Sequence, residues 1–147
     1  MADREEIQQF LNETYLFSGL DDATLARIAD CGTVRKFAKD AVLYEEGDDA
    51  LDAYLLLSGM VRFTIKSGSR SILANSVMRS RTVFGWATLI PDQTKRIGSA
   101  VALEPSEILL LHGDKLLEVL RDDPKAGFTV MQRLAGMIAR GFMETRP

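Results

Sequence analysis

Cysteine, histidine and tryptophan each occur once among the 147 residues, and proline occurs four times. The lone Cys31 excludes a disulfide within the chain and any cysteine-rich metal site. No apolar run approaches the roughly 20 residues that a membrane-spanning helix needs. The N-terminal stretch MADREEIQQF lacks the apolar segment of a signal peptide. We therefore expect a protein of the reducing cytoplasm that does not enter a membrane.

The chain has little excess charge and no basic run. Lys and Arg number 18 against 21 Asp and Glu, so the formal net charge is -3 and the pI is about 5.2. Such a chain is poorly suited to gripping nucleic acid by charge alone. Apolar residues at 46% and charged residues at 27% are typical of a folded globular protein, and the length fits a single domain over residues 1–147.

Catalytic and metal-binding constellations are also missing. His112 is the only histidine, so no Ser-His-Asp or Cys-His arrangement can be built convincingly, and zinc or an iron–sulfur cluster lacks ligands. We interpret His112 as a surface or strand-edge residue and Cys31 as a small packed side chain. The acidic pairs at 45–46 and 48–49 flank a turn glycine and are better explained as a solvated loop. The sequence therefore predicts no enzyme.

The pattern of apolar residues predicts helices at both ends and strands between them. Residues 2–16 predict a first helix, and Asp21 can cap a second helix that Gly32 ends. The apolar face of the first helix is Ile7, Phe10, Leu11 and Tyr15. From 33 to 111, short apolar runs alternate with turn residues such as Gly47, Gly59 and Gly68. The predicted strands are 34–37, 41–44, 53–57, 60–65, 71–74, 99–103 and 107–111.

Short, evenly spaced strands without βαβ alternation favour a mostly β fold with flanking helices. We predict a double-stranded β-helix, a jelly-roll-like β-roll, over residues 33–112, followed by C-terminal helices over 114–143. Asp123-Pro124 offers an N-cap and a proline in the first turn for the longer of these helices.

The long C-terminal helix carries an apolar stripe with two interpretations. The stripe can pack on the chain's own sheet, or it can form the seam of a homodimer. The candidate interface residues are Phe128, Met131, Leu134, Ile138 and Phe142.

One segment has the composition of an anion site. Residues 85–91 interrupt the strands and are long enough for one or two helical turns, whose first backbone N–H groups would be unpaired. Arg96 could return opposite them with a planar fork for phosphate, and Ser99 could add a hydroxyl. The alternative is a surface turn with a solvated Lys95-Arg96 pair.

Three stretches resemble the cyclic-nucleotide-binding domain of the Crp/Fnr type. LFSGLDDATLARIA at 16–29 resembles its entry helix, and VLYEEGDDALDAYLLLSGMVRFTI at 42–65 resembles its glycine-punctuated strands. Residues 84–100 resemble its phosphate-binding cassette. The resemblance implies a β-roll that holds a cyclic nucleotide and a C-terminal helix that shifts or dimerises in response. The ligand-binding residues it implies are Phe84, Gly85, Trp86, Ala87, Thr88, Arg96 and Ser99.

The cassette departs from the family pattern at Trp86, where cyclic-nucleotide binders usually have a glutamate that accepts a hydrogen bond from the ribose 2′-hydroxyl. Indole has a donor and no acceptor, so the ribose would lose its partner. Trp86 is also large enough to fill the sugar subsite. Ile97 is bulkier than the residue usual after the arginine, and Arg81 stands near a usual glycine.

These observations give two hypotheses. The first is a regulatory domain that senses a small anionic, nucleotide-like ligand, either a cyclic nucleotide (cAMP or cGMP) or another small phosphate-bearing molecule, and signals through its C-terminal helix as a homodimer. The second is a degenerate, non-binding domain that serves as a dimerisation or protein-interaction module. Crp/Fnr regulators carry a C-terminal helix-turn-helix, and because this chain stops at Pro147 we expect no direct DNA binding.

Overall fold

The computed structural model describes residues 3–65, 75–91 and 95–143, with the backbone alone for residues 75 and 141–143. Helix α1 spans Arg4–Asn12 and begins where the Asp3 carboxylate accepts a hydrogen bond from the Glu6 N–H at 2.9 Å. Helix α2 spans Asp22–Asp30. Both predicted N-terminal helices are therefore present.

The first helix ends earlier than its predicted limit at residue 16. The Thr14 hydroxyl donates to the Leu11 carbonyl at 2.7 Å and accepts from the Phe17 N–H at 3.1 Å, which replaces helical bonds with a turn. The turn places Leu16 and Phe17 in the core and leaves Tyr15 53% exposed. The prediction that the first helix and its apolar face extend to Tyr15 was wrong for this reason.

The described residues between the helices form two four-stranded antiparallel sheets. The strands are β1 Gly32–Phe37, β2 Val42–Tyr44, β3 Asp52–Ser58, β4 Val61–Thr64, β5 Asn75–Met78, β6 Val83–Phe84, β7 Ser99–Ala102 and β8 Ser106–His112. One sheet has the order β1-β8-β3-β6 and the other β2-β7-β4-β5. This confirms the jelly-roll β-roll.

Two strands were not predicted. β6 has only two residues, and in β5 the apolar residues Val77 and Met78 are adjacent, so neither strand shows the alternation that marks a strand. The predicted run at 71–74 and the predicted turn at Gly68 lie outside the described residues.

Strand β3 separates two apolar clusters. Ala53, Leu55 and Leu57 point to the cluster that includes the helices, whereas Tyr54 and Leu56 point to the cluster between the sheets. Because successive side chains of a strand face opposite sides, burial on both faces requires an uninterrupted apolar run. Residues 53–57 are all apolar because both faces of β3 are buried.

The C-terminal helices are α3 Gly113–Asp122 and α4 Pro124–Met143, as predicted. Ala126, Val130 and Leu134 of α4 are buried in the chain's own core. The α4 residue Arg133 donates to the Ser18 carbonyl at 2.7 Å and so ties α4 to the turn after α1. All of these anchors lie within residues 124–134, the N-terminal part of α4.

Replacing Asp123 with alanine is expected to lower the melting temperature by a few degrees near neutral pH, because Asp123 caps α4. Its carboxylate accepts from the Thr24 hydroxyl at 2.8 Å and from the Ala126 N–H at 3.2 Å. These bonds, the Thr24 bond first, hold the pKa of Asp123 below its usual range. Stabilisation of this kind is present above the unfolded pKa of about 3.9 and is lost as the pH falls through the folded value.

Melting curves of wild type and Asp123→Ala across this pH range measure the effect. The difference between them should therefore shrink below about pH 4. Asp122→Ala is the neighbouring control, since it removes only an exposed ion pair with Arg27. A difference between wild type and Asp123→Ala that stays constant with pH would contradict the role of this carboxylate.

Candidate functional site

The segment after β6 adopts the predicted helical turn. Gly85 has φ 65, and a 3-10 helix then runs over Trp86–Leu89. A Cβ at Gly85 would lie 2.6 Å from Cδ2 of Tyr54, so glycine is required by both backbone and space. The helix has only four residues, and its summed peptide dipole is correspondingly small. The positive charge of the site therefore comes mainly from the guanidinium of Arg96.

Arg96 lies inside the roll with 4% of its surface exposed. Its Nη1 donates to the Gly85 carbonyl at 2.8 Å, and its Nη2 donates to the Asp52 carbonyl at 2.6 Å. The alternative of a solvated Lys95-Arg96 pair is therefore wrong for Arg96. It holds for Lys95, which is exposed and forms an ion pair with Asp49.

Aromatic rings surround the guanidinium. Its carbon lies 4.2 Å from the Tyr44 ring centroid and 5.4 Å from that of Tyr54, and Tyr54 stacks in turn on Phe84. Burial raises the pKa of Tyr44 and of Tyr54, against the opposing effect of the Arg96 charge. Both phenols therefore stay neutral near physiological pH and supply no opposite charge to Arg96.

The charge of Arg96 has no anionic partner within the described part of the chain. The ion pairs found there join Arg4, Arg27, Arg81 and Lys95 to carboxylates. The Nε atom of Arg96 is buried and has no hydrogen-bond partner in the same described ranges. A permanently charged guanidinium is costly to bury in this state unless carbonyl dipoles, rings or a ligand compensate it.

A cavity of about 520 Å³ opens beside Arg96. Most of the surface that the described lining residues expose is apolar, and the residues with a polar side-chain group are Tyr44, Ser76, Thr82, Trp86 and Arg96. The apolar members and the glycine are Phe63, Met78, Val83, Phe84, Gly85, Ala87, Ile90, Ile97, Met137 and Ile138. The cavity is therefore an apolar chamber with one cation in its wall.

Five of the seven predicted ligand-binding residues line this cavity, namely Phe84, Gly85, Trp86, Ala87 and Arg96. The other two do not. Thr88 packs against Gly113, where an added Cβ would fall 1.9 Å from the threonine Oγ1. The Ser99 hydroxyl accepts from the Glu46 N–H at 2.9 Å.

Trp86 forms part of the wall and does not fill the space. Its half-buried indole packs against the cluster that includes the helices, and the cavity persists beside it. No pattern in the sequence places Met137 in the wall, and the apolar stripe of the last helix left Ile138 either packed on the chain's own sheet or in a dimer seam. The 3.6-residue period that marks Ile138 as apolar does not say which surface it faces.

Arg81, which stands near a usual glycine, adopts the left-handed conformation with φ 72. Its Nε donates to the Glu13 carboxylate at 3.1 Å, and its guanidinium carbon lies 4.8 Å from the Phe10 ring centroid. These contacts with the α1 region offset the backbone strain.

The other candidate groups take structural positions. His112 is exposed at the end of β8, and the buried Cys31 thiol donates to the Arg27 carbonyl at 3.3 Å. Over residues 3–65, 75–91 and 95–143, no group of three or more histidine, cysteine, aspartate or glutamate residues could hold a metal ion. None of the helices in those same ranges has both the length and the apolarity to cross a membrane.

The strands and helices define a jelly-roll β-roll with a C-terminal helix over its cavity. The chain belongs to the cyclic nucleotide-binding domain family, whose sequence model matches residues 34–123. It is 28% identical over 100 residues to the anaerobic regulatory protein of Bacillus subtilis, an alignment that covers 68% of this chain and 42% of that protein. It is 26% identical over 106 residues to the global nitrogen regulator of Synechocystis, covering 71% of this chain and 47% of that protein.

Solved structures share the fold. The sensor domain of the transcriptional regulator DNR from Pseudomonas aeruginosa superposes with a TM-score of 0.77 at 21% identity, covering 96% of this chain and 94% of that one. The catabolite activator protein of Thermus thermophilus gives a TM-score of 0.71 at 27% identity, covering 89% and 59%. The chain spans less than half the length of the two regulators above. The names of these relatives describe regulators and not enzymes.

Proposed function

We propose that this domain is a regulatory module that binds a small anionic ligand in the cavity beside Arg96 and signals the binding through α4. The observation that carries the proposal is the composition of the cavity wall. It combines the cassette residues Gly85 and Trp86, the buried cation of Arg96, and Met137 and Ile138 of the C-terminal helix. A ligand in this space touches the cation and the helix together.

The two halves of α4 suit this role differently. The N-terminal part, residues 124–134, is anchored through buried Val130 and Leu134 and through the bond from Arg133 to the Ser18 carbonyl. Met137 and Ile138, in the second half, contribute to the cavity wall. A ligand that packs against Met137 and Ile138 changes the docking of the part of α4 after residue 134, while residues 124–134 stay in place. A ligand shifts such an equilibrium only through contacts that differ between the two arrangements, and Met137 and Ile138 supply them.

Hydrogen exchange of the full chain, read by mass spectrometry, tests the proposal. The probes are cAMP, cGMP, AMP and 4-phenylbutanoate, each at millimolar concentration. At least one is expected to slow exchange in residues 131–140 together with 83–90. If none alters exchange or melting, the proposal fails.

Two variants on the same helix serve as the matched pair. Ile138→Gln changes the cavity wall and should reduce the protection of 131–140 by the effective probe. Phe128→Gln changes a residue that is 67% exposed and does not line the cavity. It should leave that protection unchanged. Equal loss in both variants would contradict signalling through the cavity wall.

The second candidate, a dimerisation or protein-interaction module, is favoured by the exposure of Phe128 alone. Within the predicted seam, Leu134 is 3% exposed and packs in the chain's own core, so it is not available to a partner. Met131 and Ile138 are half-buried, and the side chain of Phe142 lies outside the described residues. Sedimentation of Phe128→Gln against wild type tests this candidate, which requires weaker self-association in the variant.

A further inference from the structure

We propose that the ligand of this cavity is an apolar organic monoanion, such as a hydrophobic carboxylate, and not a ribose-bearing nucleotide. The inference rests on the proposed function, because it names the chemical class of the ligand that the cavity takes. It is drawn from the match between an almost wholly apolar wall and a single buried cation.

The wall determines the body of the ligand. Aromatic and aliphatic side chains from both sheets and from α4 face the space, including Phe63, Met78, Trp86 and Ile138. Burying apolar surface against them is favourable, at about 25 cal/mol per Å². The two methionines, Met78 and Met137, can adapt to an irregular apolar shape because their side chains are flexible.

The buried guanidinium determines the head group. Two of its N–H groups are used by the Gly85 and Asp52 carbonyls, and Nε has no partner. Carbonyl dipoles offset only part of a full charge, and no carboxylate in the described ranges forms an ion pair with Arg96. The two oxygens of a ligand carboxylate would neutralise the remaining charge of Arg96. They would also accept hydrogen bonds from the guanidinium N–H groups that the carbonyls do not use.

The same wall disfavours a ribose. A sugar brings hydroxyl groups that need acceptors once they are buried. Among the described lining residues, none carries a carboxylate, a carboxamide or an imidazole, and the cassette position that could supply one holds Trp86. The Ser76 and Thr82 hydroxyls are the remaining side-chain acceptors apart from the Tyr44 phenol. A nucleotide would therefore depend on these few hydroxyls for all of its ribose and base donors, whereas a hydrocarbon acid brings no donor that needs an acceptor.

Trp86 provides a local readout, since it is the only tryptophan of the chain and lies in the cavity wall. Its fluorescence, excited at a wavelength that phenyl groups do not absorb, is titrated with 4-phenylbutanoate, 4-phenylbutanamide, cAMP and cGMP. The acid and amide have nearly the same shape and differ in charge. We expect the acid to bind at least about tenfold tighter than the amide and than either cyclic nucleotide, which corresponds to one charge-assisted hydrogen bond.

Each outcome has a distinct meaning. Tighter binding of cAMP or cGMP overturns the inference of an apolar, ribose-free ligand and leaves the proposed function standing. Equal binding of acid and amide overturns the inference as well, because the cation then plays no part. Failure of every probe to bind overturns both the inference and the proposed function.

Trp86→Glu supplies an independent test through isothermal titration calorimetry. The introduced carboxylate should weaken 4-phenylbutanoate at least about tenfold by repulsion and should strengthen cAMP or cGMP by accepting from the ribose. If this variant does not fold, Trp86→Gln adds the acceptor without the charge, and the gain for the cyclic nucleotides should remain. If Trp86→Glu binds 4-phenylbutanoate as tightly as wild type does, the result would contradict the placement of the ligand beside residue 86.

Discussion

Replacing Arg96 with alanine should lower the free energy of unfolding by about 2–4 kcal/mol in the absence of ligand. The guanidinium provides the positive charge of the site and also holds two segments of the fold together. Its bonds to the Gly85 and Asp52 carbonyls join the segment after β6 to the start of β3. Hydrogen bonds from a charged donor contribute about 1.5–3 kcal/mol each, and removal of a poorly compensated buried charge returns part of this. Urea denaturation monitored by circular dichroism measures the change.

Arg62→Ala is the control, since Arg62 is exposed on β4. Its free energy of unfolding should lie within about 0.5 kcal/mol of the wild-type value. The stability of Arg96→Lys should lie between those of Arg96→Ala and wild type. An ammonium keeps the charge but cannot donate to both carbonyls at once as the planar guanidinium does. Wild-type stability in Arg96→Ala would mean that the guanidinium does not hold this part of the fold together.

Gly85→Ala is expected to cost a similar amount, about 2–4 kcal/mol. A residue with a Cβ pays about 1–2 kcal/mol for the left-handed conformation at φ 65, and overpacking commonly adds about 1–3 kcal/mol. The added methyl would lie 2.6 Å from the Tyr54 ring and 3.1 Å from Nη1 of Arg96. The same denaturation experiment measures the loss.

Gly19→Ala separates the two causes. Gly19 has φ 77, and a Cβ there would meet nothing within 4 Å, so this variant reports the backbone cost alone. The excess loss in Gly85→Ala over Gly19→Ala is the cost of crowding Tyr54 and Arg96. Equal losses would show that the packing around Gly85 is loose enough to accept a methyl group.

Much of the fold is predictable from the sequence because it depends on local patterns. The run at 53–57, the turns at Gly47 and Gly59 and the proline-started α4 each carry a signal that spans a few residues. The misses are also local in origin. Thr14 ends α1 through its own side-chain bonds, and β6 is too short to show a period.

The site is less predictable because its contacts are distant in the chain. Arg96 meets Gly85 across 11 positions and Asp52 across 44, and neither carbonyl has a sequence signature. From the sequence alone, the Lys95-Arg96 dipeptide is equally compatible with two solvated side chains. Only the fold shows that Arg96 points into the roll. Met137 enters the wall for a similar reason, since only the path of α4 decides which residues face the cavity.

The Nε–H resonance of Arg96, followed by ¹⁵N NMR during titration with 4-phenylbutanoate, tests the central claim most directly. This N–H is buried and has no hydrogen-bond partner among the residues that the structure describes, so its chemical shift reports the arrival of an acceptor. We predict that it moves progressively and saturates at the same ligand concentration as the Trp86 fluorescence, and that Arg96→Lys, which lacks this group, assigns the signal. A resonance that stays in place while the fluorescence saturates would show that the anion binds elsewhere.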